Sequence, residues 1–162
     1  MGQAGQLAAS AEAAAGASAL VFRAGALLCA LRLGEVIETM RPLATHPLAG
    51  TPGYVSGICI MRGIPTLVVD VARLLGGGTA EVTRFVAVRS ERGPVAFATG
   101  EIQGVRPVAA DPDARHENLL GDAPARLVAA VGTIDAEPVL LLQSMRLVPD
   151  EVWAAAALAD RS

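Results

Sequence analysis

Residues 56–76 read SGICIMRGIPTLVVDVARLLG, two apolar runs on either side of one Arg62-Gly63 pair. Each run is short and bounded by glycine, which predicts two paired strands rather than a helix. Gly63 at the tip supplies a positive φ without steric cost, as a tight hairpin requires. Both strands must bury their apolar side chains, so Arg62 is expected at the edge of a greasy surface, held there by a rigid scaffold. Its guanidinium can grip a carboxylate with two donors while its stem covers apolar area. The following VARLLGGG reads as a short helix, with Asp70 as N-cap and Gly76 as its stop.

Upstream, ALVFRAG and ALLCALRL form a hairpin about Ala24-Gly25. GEVIETM fits a short strand and a single helical turn equally well. RPLATHPLAGTPGY carries three prolines and two glycines, a long irregular connection of the kind that often carries function. Downstream of a Gly/Thr-rich joint at 76–83, TRFVAVRS, PVAFAT and EIQGVRPV are three more strands, turning at Arg92-Gly93 and near Gly100. ADPDARHENLLGDAP is a second polar connection. LVAAVGTI and PVLLLQSMRLV close the series as a hairpin turning at Asp135-Ala136-Glu137, and EVWAAAALADR follows as a C-terminal helix docked by Trp153 and Leu158. A count of about ten short strands in two clusters, joined by Gly/Pro turns, favours small antiparallel barrels or sandwiches. Closure would also remove the edges that runs such as TLVVDV expose to aggregation.

The 162 residues suit one domain or two small lobes. Residues 1–17 are alanine-rich and low in complexity, so order is expected to begin near Ala19. Hydrophobic residues make up 52% but aromatics only 3%, so the core must be built from Val, Leu, Ile and Ala. The start has no basic n-region of an export signal, and Gln6 does not fit a myristoylation motif. No apolar run approaches the roughly 20 residues of a membrane-spanning helix, so the expected location is the cytoplasm, without membrane insertion.

Net charge is −3, with no sign of the basic face that a nucleic-acid binder needs. Arg84, Arg89 and Arg92 gather around one hairpin and read as a solvated strand face. The two cysteines, Cys29 and Cys59, lie in apolar runs and read as reduced and buried. With His46 and His116 they show no metal-ligand spacing, so no metal and no cofactor is expected. Gly76–Gly78 lacks the Lys-Ser/Thr of a phosphate loop and GPVAFATG contains no nucleophile elbow, while paired acid/base work by Asp70 and Glu38 stays open because the sequence does not give their separation. A strand-rich body without a visible catalytic constellation points to binding partners rather than transforming substrates.

Phe22, Gly25, Val36, Glu38, Pro52, Gly57, Arg62-Gly63, Asp70 and Leu74, in this order and spacing, resemble the CheW-like domain family of bacterial chemotaxis. The resemblance covers about 19–148, with RFVAVRS, VAFATGEIQGV and AAVGTIDAEPVLLLQSMRLV similar to the family's later strands. It implies an all-β fold of two intertwined five-stranded SH3-like barrels around an apolar groove, with lobes at about 19–83 and 84–148 within a domain spanning 18–150, and a helix and tail at 151–162. It also implies a non-enzymatic adaptor between a CheA-type histidine kinase and the cytoplasmic tips of methyl-accepting receptors. Receptor contact would fall to Arg62, Val36, Gly57, Val105 and Ile102, and kinase contact to Glu38, Thr39 and Thr45. Gly63 and Asp70 are assigned to structure. Arg62 has a simpler reading as the partner of Asp70 or Glu38, Val36 and Val105 as barrel core, and Glu38 as a solvated strand-end acid. The chain departs from the family at Leu67, where a proline is usual and Pro65 comes early. It also carries Gly100 and Gln143-Ser144 where acids are common, and Ile60 where a polar residue is. A chemotaxis-like pathway governing pili or development, or a small-barrel nucleic-acid binder, are the alternatives.

Overall fold

Burial on both faces of the same strands decides how this chain is layered. The computed structural model describes residues 17–111, 128–144, 148 and 152–154. In β7 (Val95–Thr99) all five residues are buried. Ala96 and Ala98 pack with Cys59, Met61, Val68, Phe85 and Ala87, whereas Val95 and Phe97 join a separate, larger core. Side chains alternate across a strand, so a continuous apolar run fits only where each face meets its own core. The same split occurs in β1 (Ala17–Ala24): Ala19 and Val21 face one core, Leu20 and Phe22 the larger one.

The strands form two sheets. One has the order β8 (Ile102–Val108), β1, β2 (Leu27–Arg32), β11 (Glu137–Leu142), β10 (Val128–Ile134), β9 (Ala110–Asp111). The other runs β3 (Val36–Met40), β6 (Arg84–Val88), β7, β5 (Ile64–Asp70), β4 (Val55–Met61). Each sheet keeps a small core on its inner face, and the largest core lies between the sheets. The inner cores are built around Ala19 and Ala30 in one sheet and Ala87, Ala96 and Ala98 in the other. Alanine, a weak core former by composition, is what a tightly curled sheet has room for.

The fold is mostly β, with a 3-10 turn at Leu33–Glu35 and a single turn of helix, α1 (Val71–Leu74). GEVIETM resolves into both of its readings, the 3-10 turn followed by strand β3. The short β9 makes one sheet six-stranded instead of five. Not every pair is antiparallel: β2–β11 and β5–β7 run parallel. These pairs weave the chain, because β1 and β2 pair with the last strands while β3 to β5 pair with β6 and β7. The sheets therefore do not follow the division at 83/84; each draws on both halves of the chain. Of the C-terminal helix, residues 152–154 are helical, with Val152 buried and Trp153 packed on the intersheet core. The tail at 1–16, the connection at 112–127 with His116, and Leu158 lie outside the described residues.

Candidate functional site

The β4–β5 hairpin turns on two residues, Arg62 (φ 51°) and Gly63 (φ 79°), the left-handed pair of a type I′ turn. Sequence reasoning placed a positive φ on glycine alone; Arg62 shares it, a conformation uncommon for a residue with a Cβ. The strained backbone fixes where the guanidinium starts. Pro65 fits nearby for a related reason. Met61 and Ile64 close the turn, so the backbone of residue 65 points away from β4, and pairing of β5 with β7 begins only at Leu67. No ladder bond is lost to the missing N–H.

Arg62 donates from Nε to Glu38 Oε2 at 2.6 Å and from Nη2 to Oε1 at 2.9 Å. Of its two expected partners it therefore takes Glu38; Asp70 instead accepts the backbone N–H of Arg73 at 3.3 Å as the cap of α1. Such a cap is worth about 1 kcal/mol. Glu38 lies on β3 and Arg62 beside β4, strands at opposite ends of the same sheet's pairing order. The ion pair exists because that sheet curls until its two ends meet.

The Arg62 side chain is 75% exposed. Its hydrogen bonds and charge hold the Glu38 carboxyl below its usual range, and Glu38 raises Arg62 in return. A depressed carboxylate pKa stabilises the fold above the unfolded-state value, and that contribution fades as pH falls through the folded one. The Glu38 carboxyl resonance is expected to titrate below an ordinary glutamate and to return to the ordinary range in Arg62→Ala. An unchanged midpoint would show the pair to be absent in solution.

Around the pair, Ile60 and Ile64 are 56% and 53% exposed, flanking the turn from both strands. Thr39, next to Glu38, is exposed; Thr45 is half-buried and donates to the Leu43 carbonyl at 3.0 Å. Gly57 has φ 141°, and a Cβ there would collide with the His46 carbonyl. His46 and Ile58 exchange backbone hydrogen bonds of 2.8 and 2.9 Å, so Gly57 serves the docking of the 41–54 connection onto β4. This gives Gly57 a structural role that needs no partner. Val36 and Ile102 are partly buried against the intersheet core, while Val105 is 55% exposed on edge strand β8. Expected receptor contacts therefore spread over the β4–β5 hairpin (Gly57, Arg62), the start of β3 (Val36) and β8 (Ile102, Val105). Arg62 and Glu38, expected to face different partners, form one ion pair.

The sequence pattern that defines the CheW-like domain matches residues 18–152. The chain belongs to the CheW-like domain family. No curated protein matches it closely enough to count as a relative. Among solved structures it is similar to the crystal structure of the scaffolding protein TtCheW from Thermoanaerobacter tengcongensis, with a TM-score of 0.68 at 17% identity. That match covers 82% of this chain and 92% of the other.

Each departure of this CheW-like domain has a place in the fold. Leu67 is buried opposite Ile58 and Val95, where it adds to the intersheet core. Gly100 donates to the Arg23 carbonyl at 2.8 Å, and a Cβ there would stand 3.1 Å from that oxygen. Gln143 is exposed, and Ser144 beside it is bonded to Glu35 through its N–H at 3.0 Å and its hydroxyl at 2.9 Å. Cys29 and Cys59 are free and buried in separate cores, and burial pushes the Cys29 thiol up to about 12. Among the described residues no three His, Cys, Asp or Glu side chains gather as metal ligands, and no helix is long and apolar enough to cross a membrane.

The arginine cluster anticipated at 84–92 does not act as one face. Arg89 donates from Nε to the Gly34 carbonyl at 3.1 Å, whereas Arg84 sits at the far end of β6. There it lines an open depression of about 780 Å³ with Arg41, Pro42, Thr83, Glu101 and Ile102. Arg41 drew no attention in the sequence, where it reads only as the first residue of a loop. Its meeting with Arg84 depends on strand pairing, which no local pattern encodes.

Proposed function

We propose that this CheW-like domain is a non-enzymatic cytoplasmic adaptor that couples a CheA-type histidine kinase to methyl-accepting chemoreceptors. The observation that carries the reading is the Arg62–Glu38 pair, presented on a rigid turn between exposed Ile60 and Ile64. Apolar area ringed by a few charged groups suits protein recognition, with the charges setting specificity and encounter rate. Family membership supports these partners; in this reading Arg62 and Val105 serve the receptor, and Glu38 with Thr39 serves the kinase.

Because Arg62 and Glu38 hold each other, neither contact is chemically independent. A partner carboxylate that draws Arg62 away releases Glu38, and a partner cation on Glu38 releases Arg62. Individually modest contacts suffice where receptors and kinases are clustered, since effective concentration raises occupancy.

Pull-down with this chain should recover a histidine kinase together with receptor; recovery of neither overturns the reading. Glu38→Arg sets a second cation against Arg62 and removes the acid. It is expected to weaken binding to the kinase regulatory domain by about tenfold, the scale of a lost charged contact. Equal affinity by calorimetry would take Glu38 out of the kinase surface.

A further inference from the structure

The depression between the two sheets contains a charge arrangement that the fold itself does not need. β3 and β6 pair antiparallel with Met40 opposite Phe85. The pairing ends there; continued by one residue the register would set Arg41 opposite Arg84, and both line the depression. Residues opposite one another share a face, and on β6 that face is the one carrying Val86 into the intersheet core. The two arginines therefore stand together where that core opens to solvent. Like charges directly across a strand pair are destabilising. Neither side chain has a hydrogen bond or ion pair among the described residues. Beside them lie Pro42 and the half-buried Ile102, and Glu101 on the rim is the one acid lining the depression.

We infer that Arg41 and Arg84 bind paired carboxylates on one face of an amphipathic helix whose apolar stripe rests on Ile102 and Pro42. The spacing favours a helix. Opposite residues on antiparallel strands stand about 4.5–5.5 Å apart at Cα, and side chains one helical turn apart stand about 5–6 Å apart at Cβ. Two carboxylates at i and i+3 or i+4 can thus each meet one guanidinium and relieve the repulsion between them. A nucleic acid fits less well. The lining has no aromatic side chain for bases, Glu101 opposes a continuous run of phosphates, and the chain is net negative. This inference rests on the adaptor reading in one respect: it takes the helix to be the receptor's, and so assigns acidic pairs to the receptor segment that docks there.

Fluorescence anisotropy with three labelled helical peptides tests it. All share a leucine stripe, and the residue pair one turn apart is Glu, Gln or Lys. The Glu peptide should bind at least about tenfold tighter than the Gln peptide. In the double variant Arg41→Glu, Arg84→Glu the preference should pass to the Lys peptide, with a cooperative melt like that of the parent. Should that variant not fold, Arg41→Gln with Arg84→Gln should abolish the preference for Glu. Equal binding of Glu and Gln peptides, an unaltered preference in the variants, or displacement of the Glu peptide by a short single-stranded DNA overturns the inference. A receptor cytoplasmic fragment separates the two claims. If the parent and the Gln variant bind it equally, the adaptor reading stands and this inference falls. If the parent binds the Glu peptide but not the fragment, the reverse holds.

Discussion

Gly57→Ala is expected to destabilise the protein by about 3 kcal/mol or more, the sum of a strained backbone position and two disrupted hydrogen bonds. At φ 141° a side chain is disfavoured whatever the space around it, and here the space is filled by the His46 backbone. The Cβ must push the 41–54 connection off β4, breaking the paired bonds between His46 and Ile58. At about 2–4 °C per kcal/mol for a chain of this size, the melting temperature falls by about 10 °C. Partner binding falls with it, because that connection holds Thr45 and leads from Glu38 to the Arg62 hairpin. A residue that merely touched a partner would lose binding and keep its melting temperature. A calorimetric loss under about 1 kcal/mol, with binding abolished, would return Gly57 to the contact surface.

Phe97→Ala is expected to cost about 3–5 kcal/mol, the range for removing a buried aromatic from a core that cannot collapse around the gap. Phe97 is fully buried at the middle of β7, the central strand of its sheet, and Val69 and Val86 stand opposite it on the neighbouring strands. Both neighbours also belong to the intersheet core, so the cavity would open between the layers. Urea denaturation should show the midpoint falling with little change in slope. A loss below about 1 kcal/mol would mean that the layers are held together elsewhere.

The parts of this fold that were legible in the sequence are local. TLVVDV between glycines, the Arg62-Gly63 turn and Asp70 ahead of VARLLG each carry their cause within a few residues, and the strands, turn and cap lie at those positions. The weave was not visible in the spacing of residues. Cys29 pairs beside Leu140 across more than a hundred positions, and a period of two says which face is buried but not which strand lies alongside. The same limit governed the site. Arg62 had two candidate acids, and the choice of Glu38 follows from the curl of a five-stranded sheet. The resemblance assigned Gly57 to receptor contact, whereas its packing against the His46 backbone was not legible, because that backbone belongs to a connection without regular structure.

The most direct measurement is kinase autophosphorylation in a reconstituted mixture of receptor and CheA-type kinase, titrated with this protein. Receptor control of the kinase should appear only when the chain is added. Arg62→Ala should weaken that control while melting close to the parent, since Arg62 is 75% exposed and a water-screened pair contributes little to stability. Kinase activity that responds to receptor equally well with and without this protein would contradict the account.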